Sequence, residues 1–272
     1  MKWILPLFLL LGSPLSAQES FSIDTLLMGS SFSFTAIASS EQEARLAVES
    51  GLNRLIELEE MISSWDPNSE TSRVNNNAGI APQKVSPELF HLVDRSLKIS
   101  RLTQGIFDVT FASIDKVWNF NKVYTEVPDS LEIASSVAKI DYRNIVLNSE
   151  DTTIYLKEKG MKMGFGAIGK GFAAEEAKKI MKANGATSGV VNAGGDLCAW
   201  GEKSRENAWT IGIQDPDDKG NVLMSIPARD CAIVTSGNYE KYVTINEVEY
   251  CHIIHPKTGW PARNLKSVTI IC

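Results

Sequence analysis

The chain has 272 residues and a mass of 29.9 kDa, with 43% hydrophobic and 22% charged residues, a formal net charge of −6 and a pI near 5.3. This length holds one large domain or two small ones with an ample core. The acidic balance leaves no electrostatic footprint for nucleic acid, and the spacing of Cys198, Cys231, Cys251 and Cys272 forms no metal motif.

The first stretch reads as a processing signal. Lys2 precedes an apolar run over residues 3–11, too short to span a bilayer as a helix. Gly12, Ser13 and Pro14 break that run, and Leu15-Ser16-Ala17 offers a small-residue cleavage site before Gln18. A signal peptide over 1–17 is therefore expected, and with it export, which permits disulfides. No cysteine lies near the site, so a lipid anchor on the mature N-terminus is not expected. Cys231 and Cys251 lie in apolar or strand-like surroundings and read as buried thiols.

Residues 21–38 alternate loosely around Met28-Gly29-Ser30 and predict two short strands. Ser40 and Glu43 form a capping box for a helix to Ser63, with Ala44, Ala47, Val48, Leu52, Leu55, Leu58 and Ile62 at helical spacing. A polar loop follows over 64–73 around one large aromatic, Trp65, which either is buried or stacks on a planar ligand. Ser86 and Pro87 open a second helix, as N-cap and first-turn residue, that stops at Gly105. Residues 106–110 read as a strand interrupted by Asp108, an acid of the kind more often found in a turn or cap. Residues 117–120 continue as a loop, 128–139 hold a third short helix, and 145–147 with 153–156 form a strand pair.

Four glycines, Gly164, Gly166, Gly169 and Gly171, then surround Lys170 just ahead of a helix that runs to about Asn184 and ends on Gly185. Glycine lets backbone approach a ligand, and a helix start offers free N–H groups and the positive end of a dipole, together an anion site. Two phosphate motifs match the loop in part. The Gly164-x-Gly166-x-x-Gly169 pattern lacks the βαβ context and ribose-binding acid of a dinucleotide fingerprint. The Gly164-x4-Gly169-Lys170 pattern has Gly171 where a P-loop has Ser or Thr. A phosphate-type ligand in another fold and a tight turn with no ligand both stay open. Strands are predicted at 189–192, 209–213, 222–226, 232–235, 242–245 and 268–271, with a second glycine turn at Ala193-Gly194-Gly195-Asp196. Helices crowd the first two thirds and strands the last, which predicts the α+β class.

Short stretches add up in order. They are Met28-Gly29-Ser30, Ser64-Trp65-Asp66, Ser72-Arg73-Val74-Asn75, Gly105-Ile106-Phe107-Asp108-Val109-Thr110 and Gly166-Ala167-Ile168-Gly169-Lys170-Gly171 with Ala173-Ala174-Glu175. Asn192-Ala193-Gly194-Gly195-Asp196, Thr235-Ser236-Gly237-Asn238-Tyr239, His252-Ile253-Ile254-His255-Pro256-Lys257-Thr258-Gly259 and Ser267-Val268-Thr269 complete the series. Together they resemble the ApbE-like FAD:protein FMN transferases over roughly residues 28–272. The resemblance implies a single domain over 18–272 with FAD in a central cleft. It implies an exported, periplasmic, Mg²⁺-dependent enzyme, at the periphery of the inner membrane. Such an enzyme cleaves FAD, releases AMP and attaches FMN through a phosphoester to a threonine of an acceptor protein, a flavin-bearing subunit of a membrane redox complex. The implied FAD contacts are Met28, Trp65 (often Tyr in the family), Ile106, Phe107, Asp108, Lys170 and Ile254. The backbone carbonyl of Ala167 is implied as a metal ligand and His252 as the catalytic proton acceptor, where the residue read alone is a core histidine bonded to backbone.

The chain departs from the family pattern at three places. Gly164 and His255 stand where many relatives have Asp, and the chain ends at Cys272 ahead of an Asp and a Thr expected in the metal site, so a truncated C-terminal part is expected. Two other readings stay open, a protein that binds FAD without transferring it and a Mg²⁺-dependent FAD pyrophosphatase. A nicotinamide-dependent dehydrogenase is disfavoured by the missing βαβ context.

Overall fold

The computed structural model describes residues 18–204, 207–218 and 220–272; the expected signal segment 1–17 lies outside the described residues. Two nine-residue strands, β1 (Glu19–Leu27) and β2 (Ser30–Ala38), form a hairpin longer than the sequence predicts. Met28 (φ 48) and Gly29 (φ 70) make its two-residue turn, the left-handed pair that matches strand twist. Helix α1 (Glu41–Ile62) starts where expected, with the Ser40 hydroxyl accepting the Glu43 N–H. The capping box is half made, because the Glu43 carboxylate takes the Ser39 hydroxyl as a donor.

A short helix, α2 (Glu70–Asn76), lies inside the stretch read as a loop. Its buried face is mostly polar (Thr71, Ser72 and Asn75 beside the lone apolar Val74), so it carries no apolar period to read. Asn75 instead ties the helix to a distant segment, its amide bonding both the N–H and the C=O of Met163. Strand β3 (Gln83–Lys84) and helix α3 (Pro87–Leu102) follow, the latter capped by Ser86 as predicted. The strand expected at 106–110 is not there. The Asp108 carboxylate accepts from both the N–H and the hydroxyl of Thr110, which turns the chain into a 3-10 turn, Val109–Ser113. Asp108 is a cap.

Helix α4 (Ser130–Ser136) and strands β4 (Ile145–Asn148) and β5 (Thr153–Leu156) match the sequence reading. So does α5 (Gly169–Ala183), which ends before Gly185 at φ 96. Strands β6 (Ser188–Ala193) and β7 (Asp196–Trp200) join through Gly194 and Gly195. The next two, β8 (Trp209–Gln214) and β9 (Val222–Ala228), form a ribbon. Then come β10 (Cys231–Gly237), the hairpin of β11 (Tyr242–Ile245) and β12 (Val248–Cys251), and β13 (Ser267–Ile271). Strand β7 escapes sequence reading because it is covered on both faces and shows no alternation.

The α+β class holds, built on a six-stranded antiparallel sheet of order β1-β2-β6-β7-β10-β13. Helices α1 and α5 cover one face, over Phe32, Phe34, Ala36, Val191 and Trp200. The β8–β9 ribbon covers the other through Trp209, Ile213 and Ala228. A second apolar cluster joins α3 to the three-stranded sheet β3-β5-β4. A third joins Trp118 to the β11–β12 hairpin. All four cysteines are free; Cys198 and Cys251 are buried, Cys231 is half-buried rather than buried, and Cys272 is exposed. Burial, with Glu175 beside it, pushes the Cys198 thiol up to about 12.

Candidate functional site

The start of α5 is built differently from the other helices. Side chains of Ser40, Ser69, Ser86 and Asp129 each accept a backbone N–H at the starts of α1 to α4. At α5 the N-cap residue is Ile168, no side chain caps the helix, and no acid lies in the first turn. The Gly169 N–H is taken by the Phe165 carbonyl, but the next N–H groups, of Lys170 and Gly171, and the positive end of the dipole are left for an anion. Of the four glycines, Gly169 is needed for packing: a Cβ there would lie 3.1 Å from Ile62 Cδ1. A Cβ on Gly166 or Gly171 would meet nothing within 4 Å, so the outer side of the loop is open. Ala167 is exposed in the turn just ahead of the helix.

Two turns close on this helix start. The β1–β2 turn brings Met28, whose N–H donates to Glu59 Oε1 at 2.9 Å and whose side chain packs between the first two cores. The β6–β7 turn brings Gly194, where a Cβ would lie 2.9 Å from Ser30 Cβ and 3.6 Å from Lys170 Nζ. Lys170 Nζ lies 3.5 Å from the Gly194 carbonyl and 3.9 Å from Asp196 Oδ2. Burial pushes the Asp196 carboxyl up, against the opposing pull of Lys170. A partly buried acid held beside the candidate anion site is the feature that sequence reading passes over, since Asp196 reads there as the end of a glycine turn. An acid shifted upward by burial next to a lysine is a functional signal.

The Asp108 turn forms the next wall. Asp108 is 9% exposed, and its second carboxylate oxygen accepts the Tyr142 N–H at 3.0 Å. It also borders a cleft of about 230 Å³ shared with Gln104, Tyr142, Pro256 and Lys257. Phe107 is half-buried against the α3 core, while Ile106 is 55% exposed. The turn is tied to the glycine loop, as Gly164 N–H donates to the Val109 carbonyl at 2.9 Å and Ser113 bonds both polar backbone groups of Lys162. A Cβ on Gly164 would lie 2.9 Å from Ala112 Cβ, so packing here favours glycine over the family's Asp. Trp65 is 83% exposed with the Lys116 ammonium 5.1 Å from its ring centroid, which removes the buried alternative for that residue.

His252 and Ile254 stand on a separate support. His252 follows β12, is exposed, and places both its N–H and its Nδ1 on the Lys241 carbonyl, at 2.9 and 3.0 Å. A carbonyl only accepts, so in the neutral ring Nδ1 carries the proton and Nε2 the lone pair. Backbone bonding thus does not bury His252; it sets the tautomer of the neutral ring. His255 Nδ1 accepts the Lys257 N–H at 3.2 Å. That is the bond an Asp makes to the backbone two residues on, so the His255 departure preserves the turn. Trp118 Nε1 donates to the Gly259 carbonyl at 2.9 Å, and Ile254 packs against the Trp118 cluster. Lys170 and Asp196 therefore meet at the Gly194 turn, beside the Ser30 end of the turn that carries Met28, and Asp108 lines one cleft with Pro256 and Lys257. Among the described residues, His252 makes no hydrogen bond to either group.

The model of the ApbE family matches residues 28–272. A Treponema pallidum protein named FAD:protein FMN transferase is 31% identical over 243 residues, covering 84% of this chain and 67% of the relative. The crystal structure of the ApbE protein from Thermotoga maritima superposes with a TM-score of 0.83 at 29% identity, covering 93% of this chain and 82% of that one. The apo form of the Pseudomonas stutzeri flavinyl transferase ApbE has the same fold, with a TM-score of 0.80 at 22% identity over 96% of this chain and 82% of that one. With its motifs, its sheet order and the uncapped α5 start in place, this chain belongs to the ApbE family.

Proposed function

We propose that this chain is a FAD:protein FMN transferase, which moves the FMN half of FAD onto a threonine of an acceptor protein. The observation that carries the reading is the uncapped, acid-free start of α5 with Lys170 in its first turn. In a chain 31% identical to a relative of that name, it offers a place for the pyrophosphate.

In this reading the α5 N–H groups and Lys170 share the charge of the pyrophosphate, because phosphoryl transfer needs positioning and neutralisation more than covalent help. The flavin or adenine ring rests on the exposed Trp65 and Ile106 and against Met28, Phe107 and Ile254. Asp108 acts by holding its turn, since its oxygens are taken by Thr110 and Tyr142. The threonine hydroxyl attacks the FMN phosphorus, the bond from that phosphorus to the AMP oxygen breaks, and AMP leaves. The hydroxyl proton goes to His252 Nε2, whose partner nitrogen the Lys241 carbonyl keeps protonated.

Magnesium belongs to the same reading. The protein oxygen assigned to it is the Ala167 carbonyl. Among the described residues no three His, Cys, Asp or Glu side chains come together as a metal cluster. These residues do not make a complete cage, as Mg²⁺ takes oxygen ligands and keeps waters and substrate phosphate oxygens in such sites. No step is assigned to the ion. Export, with the acceptor a flavin-bearing subunit of a membrane redox complex met in the periplasm, is part of the proposal and is checked by cell fractionation.

The decisive experiment is intact mass spectrometry of an acceptor domain carrying the target threonine, after incubation with the chain from Gln18 onward, FAD and Mg²⁺. The expected result is a gain of one FMN on the acceptor, abolished by chelation. Release of FMN and AMP with an unmodified acceptor would make the chain a pyrophosphatase. FAD binding with no chemistry would make it a flavin-binding protein.

A further inference from the structure

Lys116 has no role in the reading above, yet its placement is specific. It is exposed on a six-residue span, 113–118, whose two ends are pinned to different parts of the site. At one end Ser113 bonds the backbone of Lys162, just ahead of the glycine loop. At the other, Trp118 is buried and donates to the Gly259 carbonyl. The backbone of Lys116 is therefore held between the α5 side and the His252 side.

The ammonium has no carboxylate partner among the described residues. Its neighbour Asp115 is committed to Lys139 at 3.3 Å. Residues 162–171 contain two lysines and no acid, and Ala112 crowds the position where a side chain on Gly164 would begin. The ammonium rests on the exposed face of Trp65, 5.1 Å from the ring centroid. At an exposed site this contact is weaker than a charge-assisted bond to phosphate. A flat ring that stacks on that indole face has to displace the ammonium, and it brings its own phosphates with it when the ring belongs to a nucleotide.

We propose that Lys116 is a phosphate-binding residue: on stacking of a planar ring on Trp65, its ammonium leaves the indole and pairs with the ligand's pyrophosphate, opposite Lys170. The inference rests on the transferase reading in taking FAD as the ligand. No bond is made or broken in this step.

The test is equilibrium binding of FAD and of riboflavin, which has the same ring system and no phosphate. It uses the wild-type chain, Lys116→Gln and Lys116→Arg. Lys116→Gln should weaken FAD about tenfold, the effect of losing one charge-assisted contact, and leave riboflavin unchanged. Lys116→Arg should keep FAD affinity near wild type, and the salt dependence of FAD binding should be shallower in the Gln variant. Unchanged FAD binding in Lys116→Gln would overturn the proposal. So would an equal loss for both flavins, which would make Lys116 a prop for the Trp65 ring. A wild-type chain that binds neither flavin would remove the transferase reading itself and the inference with it, a result distinct from either of the other two.

Discussion

The α5 end of the candidate site and the His252 end are held by different kinds of structure. At the α5 end, the helix start leans on Ile62 and Phe165, the β1–β2 and β6–β7 turns belong to adjacent strands of the six-stranded sheet, and the core beneath is fully buried. At the His252 end, the support is a two-stranded hairpin and a stack of aromatics around Trp118, with ring centroids 5.2 Å apart between Trp118 and Tyr250. A two-stranded hairpin is marginal by itself and depends on what it packs against. The group that would bind charge is thus placed on the rigid part, and the group that would accept a proton on the part more easily moved. This division suits a reaction in which a fixed small substrate meets a large acceptor.

Four substitutions break or sharpen this contrast. The largest effect is expected for His252→Ala, which should slow transfer by about 10²–10⁴-fold, the usual worth of general base catalysis, with FAD affinity unchanged. Transfer at the wild-type rate would take His252 out of the chemistry. Next, Trp118→Ala should cost about 3–5 kcal/mol of stability in the aromatic cluster. Hydrogen exchange should speed up at Val243, Ile245 and Tyr250, while Phe34 and Val191 stay protected. Equal acceleration across both sets would show that the two ends open as one unit. Lys170→Met should weaken FAD about tenfold and leave riboflavin binding intact, as expected for a lost charge-assisted phosphate contact. Loss of both flavins would mean that Lys170 shapes the pocket instead.

The smallest effect concerns Asp196. Its folded-state titration lies above the unfolded value because burial disfavours the charge more than Lys170 favours it. Such a group favours folding below the unfolded carboxylate range and opposes it as pH rises through the folded value. Asp196→Asn should therefore raise the melting temperature at neutral pH by roughly 1–3 °C. The gain should fade below about pH 3, where both states hold the carboxyl protonated. A lower melting temperature at neutral pH would mean that the Lys170 contact outweighs burial. The same variant separates stability from function, since a partly buried acid kept at a site at a cost to folding is expected to reduce activity on removal.

How legible these features are in the sequence depends on how local their cause is. The Ser40 and Ser86 caps, the Gly185 stop, the Gly194–Gly195 turn and the glycine loop follow from side chains that act within three or four residues. Asp108 is a cap, as an acid in that place suggests, through its local bonds to Thr110, while its further bond, to Tyr142, spans 34 residues and is not legible locally. Helix α2 is hidden because Asn75 is buried on Met163, a bond across 88 residues. The exposure of Trp65 is not in its neighbours at all, since a tryptophan beside polar residues is as easily a core anchor.

By itself the sequence determined the α+β class, most of the helix ends, the tight turns and the place of the glycine loop at the start of α5. These rest on backbone geometry, capping and periodicity, which act over a few residues. The tertiary structure alone decided which turns meet at that helix start. It set Asp196 beside Lys170, left Trp65 on the surface under Lys116, and chose the tautomer of His252 through the Lys241 carbonyl. Each of these is a contact between segments distant in the chain, and its energy depends on burial and on a partner that no local pattern encodes.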